Sequence, residues 1–117
     1  MRIITLLAVL LITATSFKPA DEQLLPTKLK ITVIDGLGNF VEGATVSIYE
    51  NKEDYLASEN SVFTLKTDKK GRVMFKDIKP IAYYVEAKKG EMNNNGEGVK
   101  TGVLSEGKIN KVNTVIE

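Results

Sequence analysis

The chain has 117 residues, 43% of them apolar and 26% charged, with 16 Lys and Arg against 15 Asp and Glu. These values describe one ordinary globular domain, and the near-zero net charge excludes long-range attraction of the whole chain to nucleic acid or anionic lipid. There is no Cys and no His, which rules out thiolate and Ser-His-Asp nucleophiles, His-ligated metals and disulfides, and leaves apolar burial and backbone pairing to supply stability.

Met1-Arg2 gives a positive start, Ile3 to Ile12 is an almost unbroken apolar run, and Thr13, Ala14, Thr15 and Ser16 are small. That order predicts a signal peptide over residues 1–16, cleaved before Phe17, with a cut after Ala20 as the alternative. A spanning helix needs about 20 apolar residues, so the run predicts no permanent membrane anchor, and without Cys there is no site for a lipid tether. The expected product is exported, periplasmic or secreted. It keeps 101 residues (117 − 16), with 15 basic and 15 acidic side chains once Arg2 is lost. Residues 17–27, with Pro19 and Pro26 and no periodicity, are expected to be a flexible lead-in.

From Lys28 to the C-terminus the pattern predicts a β-sandwich domain, in short alternating segments separated by turn residues. Leu29, Ile31 and Val33 alternate with Lys30 and Thr32, and Ala44, Val46 and Ile48 alternate with Thr45, Ser47 and Tyr49. Between them, Asp35-Gly36-Leu37-Gly38-Asn39 is a turn. Asn51 to Ser61 is polar and irregular, a long loop with room for one helical turn. Phe63 and Leu65 are expected inward on a third strand; Thr67 to Gly71 is a tight turn; Val73 and Phe75 follow on a short strand. Tyr83, Val85 and Ala87 are expected inward, with Tyr84 exposed. Asn95-Gly96 is a hairpin signal. The last two strands, Val99 to Leu104 and Ile109 to Ile116, are joined at Glu106-Gly107. The count is about seven strands and no amphipathic helix, an all-β, immunoglobulin-like sandwich.

Two stretches carry a family likeness. Asp35-x-x-Gly38-x-x-Val41-x-Gly43-Ala44-x-Val46-x-Ile48-Tyr49 and Thr67-Asp68-x-x-Gly71-x-Val73-x-Phe75-x-x-Ile78-x-Pro80, followed by Tyr83-x-Val85-x-Ala87, resemble the transthyretin-like sandwiches. That group includes carboxypeptidase regulatory-like domains and the B-type repeats of Gram-positive adhesins. The resemblance implies the fold and a surface or interaction module, because every matched position turns the chain or fills its core. Ile81 stands where such domains commonly place Gly after the Pro.

Adhesin repeats of this kind can carry a Lys-Asn cross-link assisted by a buried carboxylate, which directs attention to Lys28 or Lys30, Asn110 or Asn113, and Glu86. Alternation puts both lysines and Glu86 on outward faces, so solvated charges are expected instead. Glu50, Glu53, Asp54, Asn93, Asn94, Asn95 and Glu97 offer oxygen ligands for calcium without EF-hand spacing, and hydrated loops are expected there. Gly36-x-Gly38 and Gly96-x-Gly98 lack the rest of a phosphate loop. No catalytic residue, metal site or cofactor is therefore expected, and a carboxylate-only hydrolase would have little room beside the core.

Exposed aromatics are the better lead to a ligand, and Tyr49, Tyr55 and Tyr84 are the candidates. The expected function is a non-catalytic module that binds an envelope protein through a sheet edge or end loops, as a monomer or an edge-paired dimer. The alternative is a carbohydrate-binding protein that stacks a surface glycan on those tyrosines.

Overall fold

A computed structural model describes residues 25–117; the expected leader and most of the lead-in lie outside the described residues. The elements are β1 (Lys28–Asp35), β2 (Thr45–Tyr49), α1 (Lys52–Ala57), β3 (Phe63–Lys66), β4 (Arg72–Phe75), β5 (Tyr84–Lys89), β6 (Met92–Asn93) and β7 (Ile109–Ile116). They form two sheets, one of three strands in the order β4-β1-β7 and one of four in the order β3-β2-β5-β6. All pairs are antiparallel except β1 with β7, which run parallel from Lys28 opposite Ile109 to Asp35 opposite Ile116. A parallel pair cannot be joined by a tight turn. Here the whole four-stranded sheet lies in the connection.

The two-residue period decides which side chains meet. Leu29, Ile31 and Val33 of β1, Val73 and Phe75 of β4 and Ile116 of β7 face Val46 and Ile48 of β2 and Val85 and Ala87 of β5 in one core. Each large aliphatic side chain so buried contributes about 1.5–3 kcal/mol. Thr27 is already part of this body, since it is buried, its carbonyl accepts from Ile78 N–H and its hydroxyl accepts from Gly107 N–H.

The turns follow from their residues. Asp35 Oδ1 accepts from the N–H groups of Leu37 and Asn39, and Asp68 Oδ1 from those of Lys70 and Arg72. These bonds, the one from Asn39 N–H foremost at Asp35 and that from Arg72 N–H foremost at Asp68, hold both carboxyls below the ordinary carboxylate value. Gly71 closes the second turn at φ +72°, where a Cβ would sit 2.6 Å from the Val33 carbonyl oxygen. Only glycine fits there. After Pro80, Ile81 N–H donates to the Lys79 carbonyl in a very tight bend before Tyr83.

The described residues form sheets of three and four strands, and their members differ from those expected. The short strand β6 falls in the Asn-rich stretch, and β5 turns into it at Gly90-Glu91 instead of at Asn95-Gly96. Residues 99–104 make no regular strand; Val99 and Thr101 bond to Val85 and Tyr83 around a single bridge between Lys100 and Tyr84. Asn94 interrupts the ladder there, its side-chain amide bonding to the Ala87 N–H and the Val85 carbonyl.

The sandwich has two unlike flanks. On one, Asn93 and Glu117 exchange backbone hydrogen bonds and Asn94 bonds to Thr114, so the sheets are stitched together. On the other, β3 and β4 are the free edges. Phe63 and Leu65 do face inward, opposite Ile48 and Val46, yet they are 46% and 41% exposed. At the end of a sheet nothing lies beyond them to complete their burial.

Candidate functional site

The three tyrosines come together. Tyr49 at the end of β2 lies opposite Tyr84 at the start of β5, on the outer face of the four-stranded sheet. The loop after β2 folds back over that face because Asn51 caps α1, its side chain accepting from Asp54 N–H, and Ser58 ends the helix in a left-handed conformation. Tyr55 is thereby laid between the other two rings, 6.0 Å from Tyr49 in an edge contact and 5.6 Å from Tyr84 in a stack. Lys100 Nζ sits 5.2 Å from the Tyr84 ring centre, within cation–π range.

The expected exposure of Tyr49 and Tyr84 needs correction. Alternation placed both on the outward face, but α1 covers it. Tyr49 is only 2% exposed and Tyr84 is half-buried. Burial foremost pushes the hydroxyl pKa values of Tyr49 and Tyr55 upward, followed by the hydrogen bond to Glu86 at Tyr49 and by the charge of Glu86 at Tyr55.

Glu86 is the polar centre of the cluster and was not legible as such. Its Oε1 accepts from Tyr49 Oη at 2.9 Å and its Oε2 from Ser58 Oγ at 2.8 Å, with Lys88 Nζ 3.5 Å away. This carboxylate therefore ties α1 to both central strands. A polar recess of about 320 Å³ continues along the same face, lined by Thr45, Ser47, Glu86 and Lys88.

The edge at β3 is the second candidate. Ala44 and Ile48 accept from Thr67 and Val62, so the even-numbered residues of β2 turn their backbone groups toward β3 and the odd-numbered ones toward β5. Thr64 lies opposite Ser47 and Lys66 opposite Thr45. By the alternation of an antiparallel ladder, Thr64 and Lys66 present their N–H and C=O groups outward. Beside them lie Phe63 and Leu65, and the Phe63 ring is 6.4 Å from that of Phe75.

The cross-link constellation does not assemble. Lys28 and Lys30 lie on the three-stranded sheet and Glu86 on the outer face of the other, while the Asn110 amide donates to the carbonyls of Lys28, Ser105 and Lys108. Of the oxygen ligands considered for calcium, Asp54 is engaged with Asn51 and Asn60, and Glu50 pairs with Lys79. Among the described residues no group of three acidic side chains converges as a metal site, and no helix is long and apolar enough to cross a membrane.

No family model matches the chain, and neither does any curated protein. Solved structures do. The Bacillus anthracis TIE protein matches with a TM-score of 0.55 at 23% identity over 79% of this chain and 17% of its own. A streptococcal ancillary pilin matches with a TM-score of 0.57 at 18% identity, over 79% of this chain and 32% of its own. This chain thus spans about a sixth and a third of those two proteins. At such identities the likeness is one of fold, that of β-rich domains carried within larger proteins.

Proposed function

We propose that this chain is a non-catalytic, exported module of the transthyretin-like kind that binds a partner protein by adding the partner's strand to β3. The observation that carries this reading is the contrast between the flanks. The β6–β7 side is stitched shut by Asn93, Asn94 and Glu117, whereas β3 offers outward backbone groups at Thr64 and Lys66 beside the half-covered Phe63 and Leu65. A partner strand would satisfy those groups and complete the burial of the two side chains. The fold likeness to a streptococcal ancillary pilin supports a surface or structural setting, and the Ile3 to Ile12 run supports export.

Thr64→Pro tests it. Proline removes an N–H that the internal ladder does not use and blocks a docking strand, so the folded protein should lose capture of its envelope partner in a cross-linking pull-down. Capture unchanged in the folded variant would sink the reading.

Convergence of Tyr49, Tyr55 and Tyr84 beside a polar recess favours a second reading, carbohydrate binding. It requires saturable binding on a glycan array that Tyr55→Ala abolishes. A flat array counts against it.

A further inference from the structure

The balanced net charge conceals an uneven surface. On the outer face of the three-stranded sheet, the register sets Lys30 between Met74 of β4 and Lys111 of β7, Thr32 between Arg72 and Asn113, and Lys28 beside Ile109. Lys76 follows one residue after β4 and is exposed. Arg72 is balanced by Asp68 at 3.4 Å, but Lys28, Lys30, Lys76 and Lys111 make no ion pair among the described residues. Strand geometry spaces such side chains by about 5 Å across the sheet and about 7 Å along it. Asp77 and Glu106, the carboxylates nearest this end in sequence, sit in turns and not on the strands.

From this face we infer a docking surface for an anionic phospholipid bilayer. Lys28, Lys30 and Lys111 on one sheet face, with Lys76 just beyond β4, offer positive charge to a plane of phosphates, and the neighbouring Met74 and Ile109 supply apolar contact. A recess of about 290 Å³ bordering this face, between Lys30, Arg72 and Met74, also holds Asp68, which disfavours a buried free anion. The surface is separate from the β3 edge, which belongs to the other sheet, and from the tyrosine cluster.

Vesicle co-sedimentation tests the inference with protein beginning at Phe17, which retains every residue of both sheets. The protein should pellet with phosphatidylglycerol-containing vesicles at low salt and be released at about 1 M salt, where the screening length is about 3 Å. Lys30→Gln with Lys111→Gln should weaken partitioning about 30-fold, at roughly fivefold per lysine near an anionic surface. Lys88→Gln with Lys89→Gln, on the other sheet, should leave it unchanged, with circular dichroism confirming that both variants fold. The inference is overturned by any of four outcomes: no pelleting, equal pelleting with pure phosphatidylcholine, no loss in the first pair, or binding to soluble polyphosphate without binding to vesicles.

Discussion

Asn94 is buried to 1% exposure and every polar atom of its side chain is used. Oδ1 accepts from Ala87 N–H, while Nδ2 donates to the Val85 carbonyl and to Thr114 Oγ1. The side-chain amide thus acts as one more peptide unit beside β5, at the point where β6 has ended. Replacing it with Ala would strand a buried N–H and a buried C=O, each costing about 1–3 kcal/mol. Asn94→Ala should therefore destabilise by about 3 kcal/mol and lower Tm by at least about 10 °C in a calorimetric melt. A shift of a degree or two would show that water replaces the amide. Asp68 makes a different prediction. Its folded pKa lies below the ordinary 3.8, so its contribution is complete above that value and disappears as pH falls through the depressed one. Asp68→Asn keeps the acceptor at Oδ1 and abolishes the titration. The variant should lose less stability than the parent between neutral pH and about pH 3, read as Tm against pH. Identical acid limbs would mean that the carboxylate does not contribute. Asp68 was legible as a turn residue; Asn94, in a run of three asparagines, had nothing in the sequence to separate it from its hydrated neighbours.

At the scale of elements, alternation located β1, β4 and β5 well because each has one buried face, and β2 because its apolar residues alternate although both its faces are covered. It failed where burial is not a property of the strand itself. The face assignment of Tyr49 was right, but its exposure depends on α1, and the faces of Phe63 and Leu65 were right while their burial depends on the missing neighbour beyond β3. A six-residue helix is too short to hold in isolation. Its only aromatic is Tyr55, so the stack on Tyr84 and the Ser58–Glu86 bond are what keep α1 in place. Tyr55→Ala should release the helix locally, with amides of residues 54–59 exchanging faster by tenfold or more, for about 1.4 kcal/mol, while the core strands keep their protection. Slow exchange retained at Glu59, whose N–H bonds to the Asp54 carbonyl, would show that capping alone suffices.

For the whole molecule, the decisive contact joins the two ends of the fold. β1 runs beside β7 through eight residues on each strand, in parallel, and no periodicity in either segment could announce that pairing. The sequence shows which faces are apolar; pairing across some 80 intervening residues is settled only when both sheets close over one core. Without β7, the β1 backbone would lose one of its two partners, and Val33 and Leu29 would lose Thr114 and Asn110 beside them. Ile116, fully buried, would go as well. Ending the chain at Lys108 should therefore abolish the cooperative thermal transition, whereas replacing residues 51–60 by a short Gly-containing loop should preserve it within a few degrees. The two deletions remove similar lengths, so the contrast isolates long-range pairing from chain length. A truncated chain that still melts cooperatively would place the stability of this fold in the four-stranded sheet alone. That outcome is hard to reconcile with a β1 flanked on one side only by the four residues of β4. Because loop closure must precede the β1–β7 pairing, refolding of the intact chain should also lie in the millisecond-to-second range. Stopped-flow kinetics with most of the amplitude complete in microseconds would contradict that order of events.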